Sequence, residues 1–214
     1  MHQPEGMMMA SLTLTPSSTL AEAVFGKTEN SLLRSLMLIV AGSALIALSA
    51  QLAIRLPFSP VPVTGQTFAV LIIGMAYGSR LGSLTVLAYL LEGLFLPVFA
   101  EARTWFHPFT LWTAGYLIGF VFAAFATGWL AEKGWDRHAL TTALAMLIGN
   151  LAIYIPGMLW LATMYVTNTE MALVPLALTV FIKGFSVFLV GDIAKLVLAV
   201  LAFPAVWKWV ARNR

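Results

Sequence analysis

Cysteine is absent, which removes disulfides, thiol catalysis and thiolate metal sites from consideration. Charge is scarce: Asp, Glu, Lys and Arg make up only 10% of the residues, where a soluble domain carries about 25%. The three histidines, His2, His107 and His138, are scattered and have no metal-ligand spacing, so no metal site is expected. No P-loop occurs, so the chain is not expected to hydrolyse ATP itself. A nucleophile elbow, an HExxH pair and a carboxylate cluster are all missing; no catalytic residue is assigned and no enzyme is expected. The first thirty residues lack the basic start, short apolar run and small-residue cleavage site of a signal peptide. They hold Pro4, Pro16 and a Ser/Thr-rich stretch, and residues 1–32 read as a mobile, polar cytoplasmic tail or a weak amphipathic segment.

What fills the sequence instead is hydrocarbon. Hydrophobic residues make up 60% of the 214, and the mean hydropathy is +0.90. Such a chain must hide its surface in lipid, and about 20 residues per span leave room for about six helices and no soluble domain. The expected fold is therefore all-α, an integral membrane protein of six transmembrane helices over residues 33–214. The net charge of +3 rests on too few charges to indicate nucleic-acid binding. Lys and Arg collected on one side of the bilayer explain it better.

The apolar runs predict helices over 33–56, 67–77, 83–99, 109–131, 139–164 and 191–210. A short outer segment to residue 190 precedes the last, because Pro175, Gly184 and Gly191 interrupt a stretch too long for one span. With the N-terminus in the cytoplasm, Lys27, Arg34, Arg80, Lys133, Arg137, Lys208, Arg212 and Arg214 fall inside, and Arg55 and Arg103 outside. That asymmetry favours both termini in the cytoplasm, in a cytoplasmic (inner) membrane. Trp129, Trp135, Trp207 and Trp209 fit an aromatic belt at the inner boundary.

Four features could carry function. Ala44, Ala47, Ala50 and Ala53 stand three apart on the first helix; small residues let helices approach closely in lipid, either within the fold or against another membrane subunit. Pro57, Pro60 and Pro62, followed by Thr64, Gly65 and Gln66, make a stiff apolar loop that cannot continue a helix and reads as a lid or as an ordinary connection. Asp192 and Lys195 are three apart in apolar surroundings, so they share a helix face. They form either a capped helix with a structural ion pair or a paired recognition site, Lys195 neutralising a ligand carboxylate and Asp192 accepting bonds from N–H donors. Asn150, Tyr154 and Trp160 on the fifth helix line a pocket or bond to neighbouring helices. Glu92 and Lys183 are weaker candidates, one able to face water and the other to snorkel.

Several of these residues resemble motifs of one family. Residues 60–71, Pro-Val-Pro-Val-Thr-Gly-Gln-Thr-Phe-Ala-Val-Leu, resemble the first-loop signature of BioY, the biotin-specific S component of energy-coupling-factor (ECF) transporters. Residues 89–93 with 96–100 are similar to the family's third helix and following loop, residues 113–120 to its glycine-tyrosine segment, and Gly191-Asp192-Ile193-Ala194-Lys195 to its Gly-Asp-x-x-Lys motif. Three places depart from it. Leu111-Trp112-Thr113-Ala114-Gly115-Tyr116 stands for Gly-Pro-Thr-Gly-Gly-Tyr, and Phe188-Leu189-Val190 precedes the Gly-Asp. The loop after Phe99 carries Glu101, Arg103 and Trp105 where the family has glycines.

The resemblance implies an S-component fold of six helices with an outward-facing biotin site. It implies Asp192 near the ureido ring, Lys195 near the valerate carboxylate, and Tyr116, Gln66, Asn150 and Trp160 as pocket walls. The loop of Pro57, Pro60, Pro62, Thr64 and Gly65 would gate the site, and Ala44, Ala47 and Ala50 would dock a transmembrane T subunit that works with two ATPase subunits. Biotin is then a transported ligand, ATP is hydrolysed by the partners, and no cofactor is expected. Another small carboxylated vitamin, a membrane enzyme using Glu92 or Asp192 as base, and a scaffold for other membrane subunits are the alternatives.

Overall fold

The structure, a computed structural model, describes residues 19–25, 31–169 and 172–213, with the backbone alone for Phe25, Ser31 and Phe109. The chain forms α1 (Leu20–Phe25), α2 (Ser31–Gln51), β1 (Ala53–Ile54), β2 (Val63–Thr64), α3 (Gln66–Tyr77), α4 (Ser79–Phe95), α5 (Pro108–Glu132), α6 (Ala139–Asn168), α7 (Leu173–Gly184), a 3-10 turn (Ser186–Phe188) and α8 (Leu189–Arg212). Among the described residues four stretches are long and apolar enough to cross a bilayer: Leu32–Gln51, Thr110–Glu132, Ala139–Asn168 and Leu173–Arg212, the last holding both α7 and α8. The chain is a multi-pass, all-α membrane protein. Not every predicted span is full length: α3 has 12 residues, about 18 Å of rise against ~30 Å of hydrocarbon.

The α5–α6 pair forms the centre. In the α5 span 67% of the residues are buried, against 17% in α2, so α2 lies at the periphery facing lipid. Close approach of α5 and α6 requires small residues. A Cβ on Gly157 would stand 2.3 Å from the Tyr116 ring, which therefore lies flat on the α6 backbone. At the hairpin of α3 and α4, Gly78 takes φ 85, a conformation that costs glycine nothing.

Each helix boundary that departs from the sequence expectation has a local cause. The first helix ends at Gln51, not at residue 56, because Ala53 and Ile54 pair antiparallel with Thr64 and Val63. Gln51 then bridges to the next loop: its amide nitrogen donates to the Phe99 carbonyl at 3.2 Å and its oxygen accepts from Ala102 N at 3.0 Å. The third predicted helix stops at Phe95, since Pro97 forces Leu96 into an extended conformation (φ −115, ψ 146). The fifth runs on to Asn168, carrying Pro156 inside it. The last begins at Leu189, so Gly191 lies within its first turn, and Pro175 sits in the first turn of α7, where its missing N–H costs nothing.

Of the tail predicted over 1–32, residues 1–18 and 26–30 lie outside the described residues. The piece between them forms α1, opened by a capping box: Glu22 N donates to Thr19 Oγ1 at 3.2 Å, and Thr19 N to Glu22 Oε2 at 3.1 Å. Arg34 Nη2 donates to the Ala21 carbonyl at 2.8 Å and ties α1 to α2.

The alanine row does not present one outward face. Ala44 is exposed, Ala47 half-buried against the core, and Ala50 fully buried. A step of three residues falls short of a 3.6-residue turn by about 60°, so the row winds from lipid into the interior.

Candidate ligand-binding site

Between α3, α5, α6 and α8, and beneath the loop joining β1 to β2, lies a cavity enclosing ≈ 650 Å³ of empty space, its mouth included. The loop 52–65 can dip inward because non-helical backbone at membrane depth is tolerated where it lines a cavity inside protein. Ser59 Oγ donates to the Lys183 carbonyl at 2.8 Å and fastens the loop to α7. Val61, Pro62 and Thr64 then form the roof.

One end of the cavity is strongly polar. Asp192 and Lys195 sit in the first two turns of α8, on one face. Lys195 Nζ lies 3.2 Å from Asp192 Oδ1 and donates to Thr67 Oγ1, on α3, at 2.7 Å. The Tyr154 hydroxyl, from α6, donates to Asp192 Oδ2. The pair is largely shielded, its side chains 8% (Asp192) and 17% (Lys195) exposed. Gln66 adds a second polar group: its amide donates to the Tyr89 hydroxyl, and its oxygen accepts from Thr64 Oγ1 at 3.2 Å.

Much of the remaining lining is apolar, supplied by Phe99, Leu117, Phe120, Ile153 and Phe188. Tyr116 joins this wall, with its hydroxyl donating to the Gly184 carbonyl at 2.9 Å. Thr110 also lines the cavity. Its Oγ1 is buried without a hydrogen-bond partner, and buried hydroxyls in native proteins are usually satisfied. A polar group of a ligand would supply the missing bond.

Asp192, Lys195, Tyr116 and Gln66 are therefore brought together around one cavity, with Pro62 and Thr64 from the loop. Pro57 and Pro60 line a separate pocket outside it. Gly65 sits behind the loop, its N–H donating to the Leu52 carbonyl at 3.1 Å. Asn150 and Trp160 do not line the cavity. Trp160 turns its indole N–H to the Leu111 carbonyl, and Asn150 is buried one helical turn before Tyr154. Glu92 is used elsewhere, accepting from Ser43 Oγ at 2.8 Å between α2 and α4. The Lys183 ammonium lies 5.6 Å from the centroid of the Tyr165 ring.

Thr67, Thr110 and Arg103 line the cavity without having been singled out as site residues. Thr67 directly follows Gln66 inside the signature of residues 60–71, so the signal was present in that motif. Arg103 is the one Lys or Arg between Glu101 and Glu132, a signal that its loop position obscured.

Residues 6–212 match the profile of the BioY family. The biotin transporter BioY of Rhizobium etli is 35% identical over 170 residues, covering 76% of this chain and 86% of its own. BioY of Thermotoga maritima is 35% identical over 160 residues, covering 74% and 87%. The fold is that of a crystal structure of the S-component for biotin from an ECF-type ABC transporter, with TM-score 0.68, 24% identity, and coverage of 85% of this chain and 95% of that one. On the extent of the profile match and the identity to these relatives, the chain belongs to the BioY family.

Proposed function

We propose that this chain binds biotin and takes it up across the cytoplasmic membrane as the substrate-binding S component of an ECF transporter. The observation that carries the reading is the cavity itself: an acid and an amine at one end, apolar walls beyond, and a proline-stiffened roof. A urea offers N–H donors and a C=O acceptor side by side. A carboxylate and an ammonium 3.2 Å apart match that pair, Asp192 accepting and Lys195 donating. Two head groups in contact make one end of a site, so Lys195 serves the ureido ring together with Asp192 rather than the far end of the valerate tail. Tyr116 and Gln66 complete the walls. Closure of the loop over the ligand excludes water and strengthens these hydrogen bonds.

In this reading the end bearing Arg34, Arg80, Arg137 and Arg212 faces the cytoplasm, with both termini, and the proline loop faces outward. The chain transports and does not catalyse, needs no cofactor of its own, and relies on a T subunit and two ATPase subunits for energy. Ala44 and the exposed side of Ala47 on α2 would meet the T subunit; Ala50 is enclosed by the fold and supports the helix from within.

Competition for radiolabelled biotin on detergent-purified protein tests the assignment. Unlabelled biotin should displace the label, and thiamine, riboflavin and lipoate should not. Displacement by lipoate as readily as by biotin would give the site to small carboxylated vitamins in general. Turnover of a substrate would indicate an enzyme, and retention of no ligand at all would leave only a scaffold role.

A further inference from the structure

We propose that Arg103 anchors the carboxylate of the bound ligand at the neck of the cavity, and that Glu101 is the chain's own stand-in carboxylate, holding that guanidinium until the ligand displaces it. The proposal rests on the biotin reading above and deepens it.

Two hollows meet at Arg103. The inner one is the cavity with Asp192 and Lys195. The outer one, enclosing ≈ 700 Å³ with its open side included, lies under the proline loop between Arg55 and Pro60. Pro62 and Arg103 line both and so form the partition between them. Lys195 lines only the inner hollow. The lining of the inner cavity thus holds two charged groups, the Asp192–Lys195 pair and, at the junction with the outer hollow, Arg103, together with apolar side chains such as Phe120 and Ile153. A ligand with a polar ring, a greasy tail and a terminal anion has a part to match each.

The Arg103 side chain is only 11% exposed, and a cation so enclosed requires an anion. Glu101 supplies one, and the same carboxylate takes a two-point bond from Arg55, Nε to Oε1 at 2.9 Å and Nη2 to Oε2 at 2.5 Å. Guanidinium binds carboxylates in a planar fork, so a ligand carboxylate is a fitting replacement for Glu101. The turn that presents these groups is fixed. Phe99 and Arg103 exchange backbone hydrogen bonds at 3.0 and 3.3 Å, and Glu101 and Ala102 hold φ 60 and 54, uncommon for side chains with a Cβ. Arg103 is therefore presented to the neck in a set position. This is also the loop where the sequence departs from the family's glycines.

The test compares biotin with biotinol, in which an alcohol replaces the carboxylate. Arg103→Met should weaken biotin by about 10- to 100-fold, the worth of a hydrogen bond to a charged group. Biotinol affinity should change by no more than about two- to threefold, showing that the cavity is intact. Glu101→Gln, which removes the competing carboxylate, should leave biotin binding as tight or tighter. Equal losses for both ligands in Arg103→Met, or no loss for either, overturn the proposal. So does a biotin-selective loss in Lys195→Met with Arg103→Met unaffected; that result would move the carboxylate to Lys195 and leave the biotin reading standing. Failure of the unaltered chain to bind biotin would remove that reading and the anchor with it.

Discussion

Replacing Lys195 by Met keeps much of the side-chain volume and deletes the ammonium that stands 3.2 Å from Asp192 Oδ1. The Asp192 carboxylate, 8% exposed, would retain only the Tyr154 hydroxyl as a partner in the site. Stripping one member from a buried ion pair costs ~3–5 kcal/mol. The 17% exposure of the Lys195 side chain lets water relieve part of that, so the lower end, about 3 kcal/mol, applies. Adding Asp192→Asn removes the stranded charge and keeps an acceptor for Tyr154. What remains lost is chiefly the bond to Thr67, about 1 kcal/mol. The double variant should therefore be about 2 kcal/mol more stable than Lys195→Met alone. For a chain of this length that is a rise of about 4–8 °C in melting temperature. Scanning fluorimetry in detergent, read through the tryptophans, measures it, and biotin binding should be weakened in both variants. A double variant that melts at or below Lys195→Met would refute the claim that the two charges compensate each other in a shielded site.

Three further outcomes are expected. Gly157→Ala would place a methyl 2.3 Å from the Tyr116 ring, which its bond to the Gly184 carbonyl holds in place; stability should fall by about 1–3 kcal/mol, with weaker biotin binding, and unchanged melting and affinity would show that the wall can yield. Ser59→Ala frees the proline loop from the Lys183 carbonyl; biotin dissociation should quicken by about fivefold, the worth of one hydrogen bond, and stopped-flow release at the unaltered rate would count against a gating loop. Asp136, in the hairpin between α5 and α6, is fully buried, and burial pushes its carboxyl above the usual range despite the bond from the Trp207 indole. A carboxyl raised in the folded state contributes stability at acid pH that is lost as pH rises through its folded value. The stability of Asp136→Asn relative to the unaltered chain should then grow as pH rises above the ordinary carboxylate range of about 4, and a constant difference in melting temperature would contradict it.

The legible parts of this sequence are those where local chemistry decides. Asp192 and Lys195 share a face because any helix puts residues three apart together, and Pro57, Pro60 and Pro62 exclude a helix wherever they stand. The apolar runs give the core of each membrane helix for the same reason. Ala50 was not legible as a core residue, since spacing alone does not say which side of α2 faces lipid. Trp160 has the chemistry of a pocket wall, yet its indole is claimed by the Leu111 carbonyl, a partner on another helix. The end of α2 at Gln51 depends on pairing between residues 53–54 and 63–64, and the siting of Arg103 depends on a left-handed turn at Glu101 and Ala102. Such long-range pairings and turns leave no periodic trace in the chain.

Isothermal titration of detergent-purified protein with biotin is the most direct trial of the site. The unaltered chain should bind a single biotin, and Asp192→Asn should bind it at least tenfold more weakly, about 1.4 kcal/mol or more. Heats no greater than dilution for the unaltered chain, or identical isotherms for the two proteins, would contradict the account.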